Sequence, residues 1–298
     1  MGSRPRKKCL SELLQPTPPW AQGIATARYA LLEAFHNRTF LIGGTLGIAF
    51  LALYGIGLHL LDSQLRQRGA SAFLLHAMVI RSVVPMALWI AALLITALGS
   101  VLGAGTLAGD LEQQTALATL ARPLRRDTWL YGKLGGSAAL LFLVTSVLVW
   151  GIDGLTYDLI GEWPLHLFRL WGLLVLQAGL VFGLAALLAT RLSGLTAVIA
   201  TLLLYGVTLI GGLLTAMGSN SRITTLENIG TVLMLLFPAN GLTMRATYFA
   251  SGANPLIGAS PFAAAGTAPS AWLTGWAAAY TVAVWWGCHC SFQSREIH

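Results

Sequence analysis

Six stretches of the sequence run for about 20 residues without Asp, Glu, Lys or Arg, and this feature restricts the possible folds most strongly. As a helix, a stretch of that length crosses the ~30 Å hydrocarbon layer of a membrane. The stretches are Thr39–Leu61, Val83–Leu107, Leu134–Ile152, Leu170–Thr190, Leu195–Met217 and Ala271–Cys290. With 56% hydrophobic and only 10% charged residues, the composition also differs from that of a soluble domain. The sequence therefore predicts an all-α membrane protein with six transmembrane helices.

The basic residues indicate the orientation, because cytoplasmic loops of membrane proteins are enriched in Lys and Arg. If the N-terminus lies inside, twelve of the 18 basic residues fall on the cytoplasmic side. The twelve are Arg4, Arg6, Lys7, Lys8, Arg28, Arg38, Arg122, Arg125, Arg126, Lys133, Arg191 and Arg295. The first apolar stretch has no small-residue cleavage site, so we expect no cleaved signal peptide. We expect a multi-pass protein of the bacterial inner membrane with both termini in the cytoplasm.

Two N-terminal segments precede the first span. Residues 1–20 combine basic side chains with three prolines, which is typical of a flexible cytoplasmic tail. Residues 21–38 place apolar side chains, including Phe35, on one face of a helix, with Arg28 and Arg38 at the borders of that face. This pattern predicts an amphipathic helix in the membrane interface. The alternative is an exposed helix that packs on a soluble partner.

The outer segment of residues 218–270 is the longest connection between predicted spans. Its apolar patch at residues 229–237 is too short to cross a membrane, and Pro238 and a Gly/Pro/Ser-rich stretch follow it. A fully solvated loop would leave Leu233, Leu235 and Phe237 in water. We therefore expect short helices here that enter the membrane only part of the way.

Few side chains in this sequence suggest a catalytic or metal site. We place Asp153, Asp158 and Glu162 in a short outer loop, and then no acid or base lies in the middle of a span to couple transport to an ion. The sequence contains no phosphate-binding loop, so ATP would have to be hydrolysed by another subunit. The Cys-His-Cys triplet at residues 288–290 has no further metal ligands nearby. We expect neither enzymatic activity nor a bound cofactor or metal in this chain.

Pairs of glycines four residues apart recur in the apolar stretches, and they indicate close helix packing. The pairs are Gly43/Gly47, Gly99/Gly103, Gly105/Gly109, Gly132/Gly136 and Gly179/Gly183. Each pair fits packing within the chain as well as contact with a second copy.

The stretch GDLEQQTALATLARPLRRDTWLYGK, residues 109–133, is the large charged segment on the predicted cytoplasmic side. Residues 112–120 predict an interfacial helix, which Pro123 ends, and basic residues then lead into the third span. Such a segment is suited to docking a cytoplasmic partner.

The same segment resembles the pattern G-E-x-E-x-G-T-L-x-x-L-L-x-x-P-x-x-R-x-x-x-x-x-G-K of the ABC-2 type transporter permeases, particularly their six-span branch that includes the nitrous oxide reductase maturation permease. The matching residues are Gly109, Asp110, Glu112, Thr115, Leu117, Leu120, Pro123, Arg126, Gly132 and Lys133. Asp110 and Gln114 depart from the pattern, which has Glu and Gly at these positions. Residues 21–38 and the sequence LMLLFPANGL before the last span also resemble parts of this family.

The resemblance implies a six-helix permease of the type V exporter class. In such a half-transporter, two permease copies, typically identical, assemble with two cytoplasmic ABC ATPase subunits that bind ATP and Mg²⁺. The coupling loop, residues 108–133, would bind in a groove of the ATPase. Closure of the ATPase dimer would then move this loop and tilt spans one, two and five. Its implied site residues are Asp110, Glu112, Thr115, Leu117, Leu120, Pro123, Arg125, Arg126 and Lys133. We expect the two acids to pair with Arg38, Arg125 or Arg126; solvated charges at a helix end are the alternative.

Other functions remain open at this stage. An ATPase-coupled subunit that drives or assembles an envelope machine would carry the same docking loop as an exporter, with or without a periplasmic accessory protein. A membrane-embedded enzyme would need a catalytic constellation that we do not find. The composition of the spans suits an amphipathic or lipid-like cargo, but the fold class does not fix the substrate.

Overall fold

The computed structural model describes residues 38–67, 79–112, 126–160, 166–251 and 270–293. Within these ranges the chain forms eight α-helices and no strand. The helices are α1 (Arg38–Gln67), α2 (Val84–Glu112), α3 (Arg126–Ile160), α4 (Leu167–Ala189), α5 (Gly194–Ser221), α6 (Thr224–Leu236), α7 (Ala239–Ser251) and α8 (Ala271–Gln293). The predicted tail and the predicted interfacial helix, apart from Arg38, lie outside the described residues.

Five of the helices are long and apolar enough to cross a membrane, and they coincide with the first five predicted spans. Their candidate spans are Leu41–Leu65, Val84–Leu107, Leu130–Leu159, Leu167–Ala189 and Gly194–Ser219. The sixth predicted span is also helical, but no window of α8 reaches the hydropathy of these five spans. Its sequence carries four tryptophans along with polar side chains, which lowers its mean hydropathy.

α4 is the central helix of the bundle. It packs against α2, α3, α5, α7 and α8, and 67% of its most apolar window is buried, against 11% for α1. Small residues allow the closest of these contacts. A Cβ atom added to Gly103 of α2 would overlap the backbone oxygen of Phe182 of α4, and one added to Gly183 would lie 2.8 Å from the Trp285 ring nitrogen of α8.

α4 and α8 run in the same direction and end side by side. The hydroxyl oxygens of Thr190, which caps α4, and Ser291, in the last turn of α8, lie 2.8 Å apart. At the same end, Tyr131 near the start of α3 stacks on His289 at a centroid distance of 5.4 Å. We call this end of the bundle, at which α2 ends, α3 begins and α4 turns into α5, the loop end.

Between α5 and α8 the chain forms a V of two short helices, α6 and α7, bent by 110°. α6 runs back along α5, since Gly218 contacts Glu227 near the end of α5 and Gly211 contacts Leu233 further along. α6 stops where Phe237 is extended, as expected of a residue before proline. α7 then returns toward the start of α4, where the Phe249 and His166 rings meet at 5.6 Å.

The tip of this V reaches the middle of the bundle. Asn240 of α7 donates a hydrogen bond to the backbone oxygen of Thr208, which is halfway along α5. α6 begins and α7 ends at the end of the bundle opposite to the loop end, while the bend between them lies at the tip. We therefore call α6 and α7 the re-entrant pair. Because this pair turns back instead of crossing the bundle, α8 starts at the end where α5 finishes and so runs parallel to α4.

Candidate functional site

The coupling-loop residues fall at the junction of α2 and α3. Asp110 and Glu112 lie in the last turn of α2, Arg126 is the first residue of α3, and Lys133 lies two turns further along α3. Thr115, Leu117, Leu120, Pro123 and Arg125 lie outside the described residues. The predicted motif thus begins on one helix of the bundle and ends on the next, so both of its ends are attached to packed elements.

Of the other site residues predicted from the sequence, Arg38 and Pro238 fall among the described residues. Arg28 and Phe35 lie outside the described residues, and Arg38 is the first residue of α1. Pro238 is buried at the bend of the re-entrant pair. The structure does not bring Pro238 near the ends of α2 and α3, because the tip of the re-entrant pair contacts the middle of the bundle.

A network of polar side chains surrounds that tip, and we call it the central polar network. Gln177 of α4 donates to the hydroxyl of Thr96 of α2 at 3.1 Å, and Thr243 of α7 donates to Oε1 of Gln177 at 2.6 Å. All three side chains are buried. These bonds connect three helices in the middle of the bundle. Hydrocarbon offers no hydrogen-bond partner, so unsatisfied polar groups would be costly at this depth.

Tyr205 of α5 adjoins the same network. Its hydroxyl faces Thr243, Thr96 and Gln177, yet among the described residues it has no hydrogen bond of good geometry. The amide oxygen of Asn240 likewise lacks a partner within the described part of the chain. The network therefore has unused hydrogen-bonding capacity where α2, α4, α5 and α7 meet.

A groove of about 160 Å³ lies between α1, α2 and α3. Its lining is apolar, with Gly43 and Gly47 of α1 opposite Leu98 of α2 and Leu148 of α3. Ile42 at its edge is 69% exposed, so the groove opens onto the surface that a membrane would cover. Its lining suits an acyl chain or a similar apolar group.

The sequence predicts the position of Asp153 wrongly. α3 continues to Ile160, so Asp153 lies inside the helix and inside its candidate span, and its side chain is fully buried. The prediction of a short outer loop at this position was wrong, because a single charged residue does not end a helix whose apolar residues continue beyond it. The spacing of Ile152, Leu155 and Leu159 was the available signal.

In the described part of the chain, no three His, Cys, Asp or Glu side chains come close enough together to hold a metal ion. Within the Cys-His-Cys triplet, Cys288 is buried and Cys290 is exposed on α8, while His289 stacks on Tyr131. Within the triplet, His289 therefore provides one ring contact between α8 and α3.

The helices and their order define the class of this molecule as an all-α, multi-pass membrane protein. The sequence matches no protein-family model and no characterised protein.

Proposed function

We propose that this chain is the permease subunit of an ABC-2 type transporter, which couples ATP hydrolysis by a separate ATPase to export of a substrate across the inner membrane. The observation that carries the proposal is the position of the charged motif. It occupies the connection between α2 and α3, with Glu112 as the last residue of one helix and Arg126 as the first of the other. A displacement of the loop by an ATPase would act directly on both helices.

Packing provides a route from this connection into the bundle. α2 contacts α4 through Gly103 and Phe182 without an intervening side chain, and α3 contacts α1 through Gly151 and Leu51. Close-packed helices move as rigid bodies rather than by compression. Closure of the ATPase dimer on ATP binding changes the conformation of the bundle only if the loop binds the open and closed ATPase with different free energies.

The re-entrant pair also supports the proposal. The sequence LMLLFPANGL, which resembles the family's outer segment, forms the end of α6, the bend and the start of α7. This segment lies between the fifth span and the last helix, as the resemblance requires. In this arrangement α8 is the sixth span, and the re-entrant pair enters the membrane from the periplasmic side.

Two exposed apolar helices fit a second copy of the chain. Leu46 and Leu53 of α1 and Leu203 and Ile210 of α5 are each more than half exposed. Lipid covers such faces in a monomer, whereas a homodimer would bury part of them and enclose a path between protomers. The apolar groove beside α1 suits a lipid-like or amphipathic cargo on that path.

The test is co-purification of the chain with the ABC-type ATPase encoded beside its gene, followed by ATP hydrolysis in lipid nanodiscs. We expect Glu112→Ala plus Arg126→Ala to weaken ATPase binding by about tenfold or more, equivalent to ~1.4 kcal/mol. The double variant should also abolish the effect of the permease on the hydrolysis rate.

The matched control is Asp158→Ala plus Arg169→Ala, which removes one acid and one arginine from exposed positions at the opposite end of the bundle. This variant should bind the ATPase as the wild type does. Equal loss in both variants, or no ATPase binding by the wild type, would contradict the proposal. Flux of a labelled lipid in proteoliposomes separates an exporter from a subunit that drives an envelope machine without transport.

A further inference from the structure

Asp153 of α3 is a fully buried carboxyl group, and neither of its oxygens has a hydrogen-bond partner among the described residues. It lies seven residues before the end of α3, about 10 Å along the helix axis. Thr156 is three residues later and so lies on the same face of the helix. Across from it, Tyr54 of α1 places its hydroxyl 2.9 Å from that of Thr156. We call these three side chains the Asp153 cluster.

Both hydroxyl protons of this cluster are used in hydrogen bonds that do not involve Asp153. Thr156 donates its only hydroxyl proton to the backbone oxygen of Ile152 at 2.7 Å. Tyr54 must therefore be the donor in its bond with Thr156, because each hydroxyl has a single proton. No hydroxyl proton remains for Asp153, while the oxygen of Tyr54 keeps lone pairs that can accept a bond. The cluster has more acceptors than donors.

The surrounding helices do not supply a compensating charge within the described residues. On α1, the titratable side chains beyond Tyr54 that the structure describes are His59, which is exposed, and Asp62, which is half-buried and eight residues further along than Tyr54. On α3 itself, Asp158 is exposed, and on α4 the nearest charged residue in sequence, Arg169, is also exposed. A bare carboxylate without a partner is not stable at such a site, since burying an unpaired charge is far more costly than burying a neutral group.

We propose that Asp153 is a proton-binding site in the membrane-spanning part of the molecule, and that its proton controls the contact between α1 and α3. The protonated carboxyl group supplies the donor that the cluster lacks. Loss of the proton leaves an ionised oxygen against the α1 surface, where Gly55 and Leu155 also touch. Hydration of that charge requires α1 to separate from α3. α1 is suited to such a movement, because little of its apolar surface is buried.

Infrared spectroscopy of the full-length chain in nanodiscs tests the site, since the carbonyl stretch of a protonated carboxyl group is separate from the bands of a carboxylate. At pH 7 we expect a protonated-carboxyl band in the wild type that is absent in Asp153→Asn. The control is Asp158→Asn, which changes an exposed acid five residues further along the same helix and should keep the band. If Asp153→Asn loses no such band, Asp153 is ionised and the proposal is wrong.

A sodium ion is the competing occupant, and the same spectra decide between the two. With choline chloride replacing sodium chloride, the band of a proton site stays unchanged. A band that appears only without sodium would show that Na⁺ occupies the carboxylate, which overturns the proposal.

Thermal unfolding tests separately whether the proton of Asp153 controls the contact between α1 and α3. The unfolded chain releases this proton near pH 4, so the folded state is destabilised as the pH rises above about 4, until the folded protein also loses the proton. Between pH 5 and pH 8, the thermal unfolding midpoint of the wild type should therefore fall by on the order of 5–10 °C. Asp153→Asn, which keeps the size of the neutral group, should remove most of this loss, and Asp158→Asn should not. Parallel pH profiles of the wild type and Asp153→Asn would contradict the proposed control of the α1–α3 contact.

Discussion

Thr243 of α7 donates a hydrogen bond of 2.6 Å to Gln177 of α4, and this bond attaches the tip of the re-entrant pair to the middle of the bundle. Gln177 uses its amide nitrogen for Thr96 of α2. One side chain thus connects an element that enters the bundle from one end with α2 and α4, which pack closely together. Any movement of the re-entrant pair must break or exchange this bond.

We predict that Gln177→Met destabilises the protein by about 1–3 kcal/mol. The substitution keeps the length of the side chain but removes two hydrogen bonds between helices, each of which contributes ~0.6–2 kcal/mol in membrane proteins. The measurement is reversible unfolding in mixed detergent and SDS micelles, followed by circular dichroism. Gln293→Met, at an exposed position in α8, should change the stability by less than about 0.5 kcal/mol. Similar losses in the two variants would show that the central polar network does not stabilise the fold.

We predict opposite effects for two glycines of α2 that are two residues apart. Gly103→Ala should cost about 1–3 kcal/mol, because its Cβ would overlap the Phe182 backbone, which cannot rotate away. Gly105→Ala adds a Cβ with no atom within 4 Å and should be neutral or stabilise by up to ~1 kcal/mol through helix propensity. The same unfolding experiment measures both. Equal destabilisation would mean that α2 and α4 are further apart than the structure shows.

The glycine spacing in the sequence indicates close packing but does not identify the partner. In the structure Gly43 lies against Leu98, Gly103 against Phe182 and Gly183 against Trp285, so these three glycines pack within the chain. Gly105 belongs to a similar pair and faces open space. Spacing along one helix cannot distinguish these cases, because the partner helix is set by the tertiary fold.

Apart from the end of α3, the positions of the first five spans could be predicted to within a few residues, since long uncharged stretches have no other stable fold in a membrane. The end of α3 was predicted too early, and the burial of Asp153 could not be predicted, because it depends on α1 lying opposite to it. The helical character of residues 224–251 also follows from the sequence. The depth of the re-entrant tip depends on Asn240, Thr243 and their partners on α5 and α4, which are distant in sequence. The resemblance to ABC-2 permeases remains a prediction about function.

We predict that Thr190→Cys and Ser291→Cys form a disulfide, in a background with the three native cysteines replaced. The native hydroxyl oxygens are 2.8 Å apart, and disulfides require Cβ atoms ~3.5–4.5 Å from each other. With a protease site inserted between residues 252 and 269, the cross-linked halves should stay together on a non-reducing gel after cleavage. Thr190→Cys with Ser270→Cys, at the other end of α8, should separate. The reverse result would make α8 antiparallel to α4, and the pair α6–α7 would then cross the membrane.

The last prediction concerns the direction of the bundle in the membrane. Ser193 and Ser221 are exposed residues at the two ends of α5, which is about 42 Å long. In the same cysteine-free background, a membrane-impermeant maleimide should label Ser221→Cys in intact spheroplasts. It should label Ser193→Cys only after the membrane is broken. Because both substitutions are serine to cysteine on one helix, reactivity differs only through access. Labelling of Ser193→Cys in intact spheroplasts would place the loop end outside the cell, where no ATPase could dock on Glu112 and Arg126.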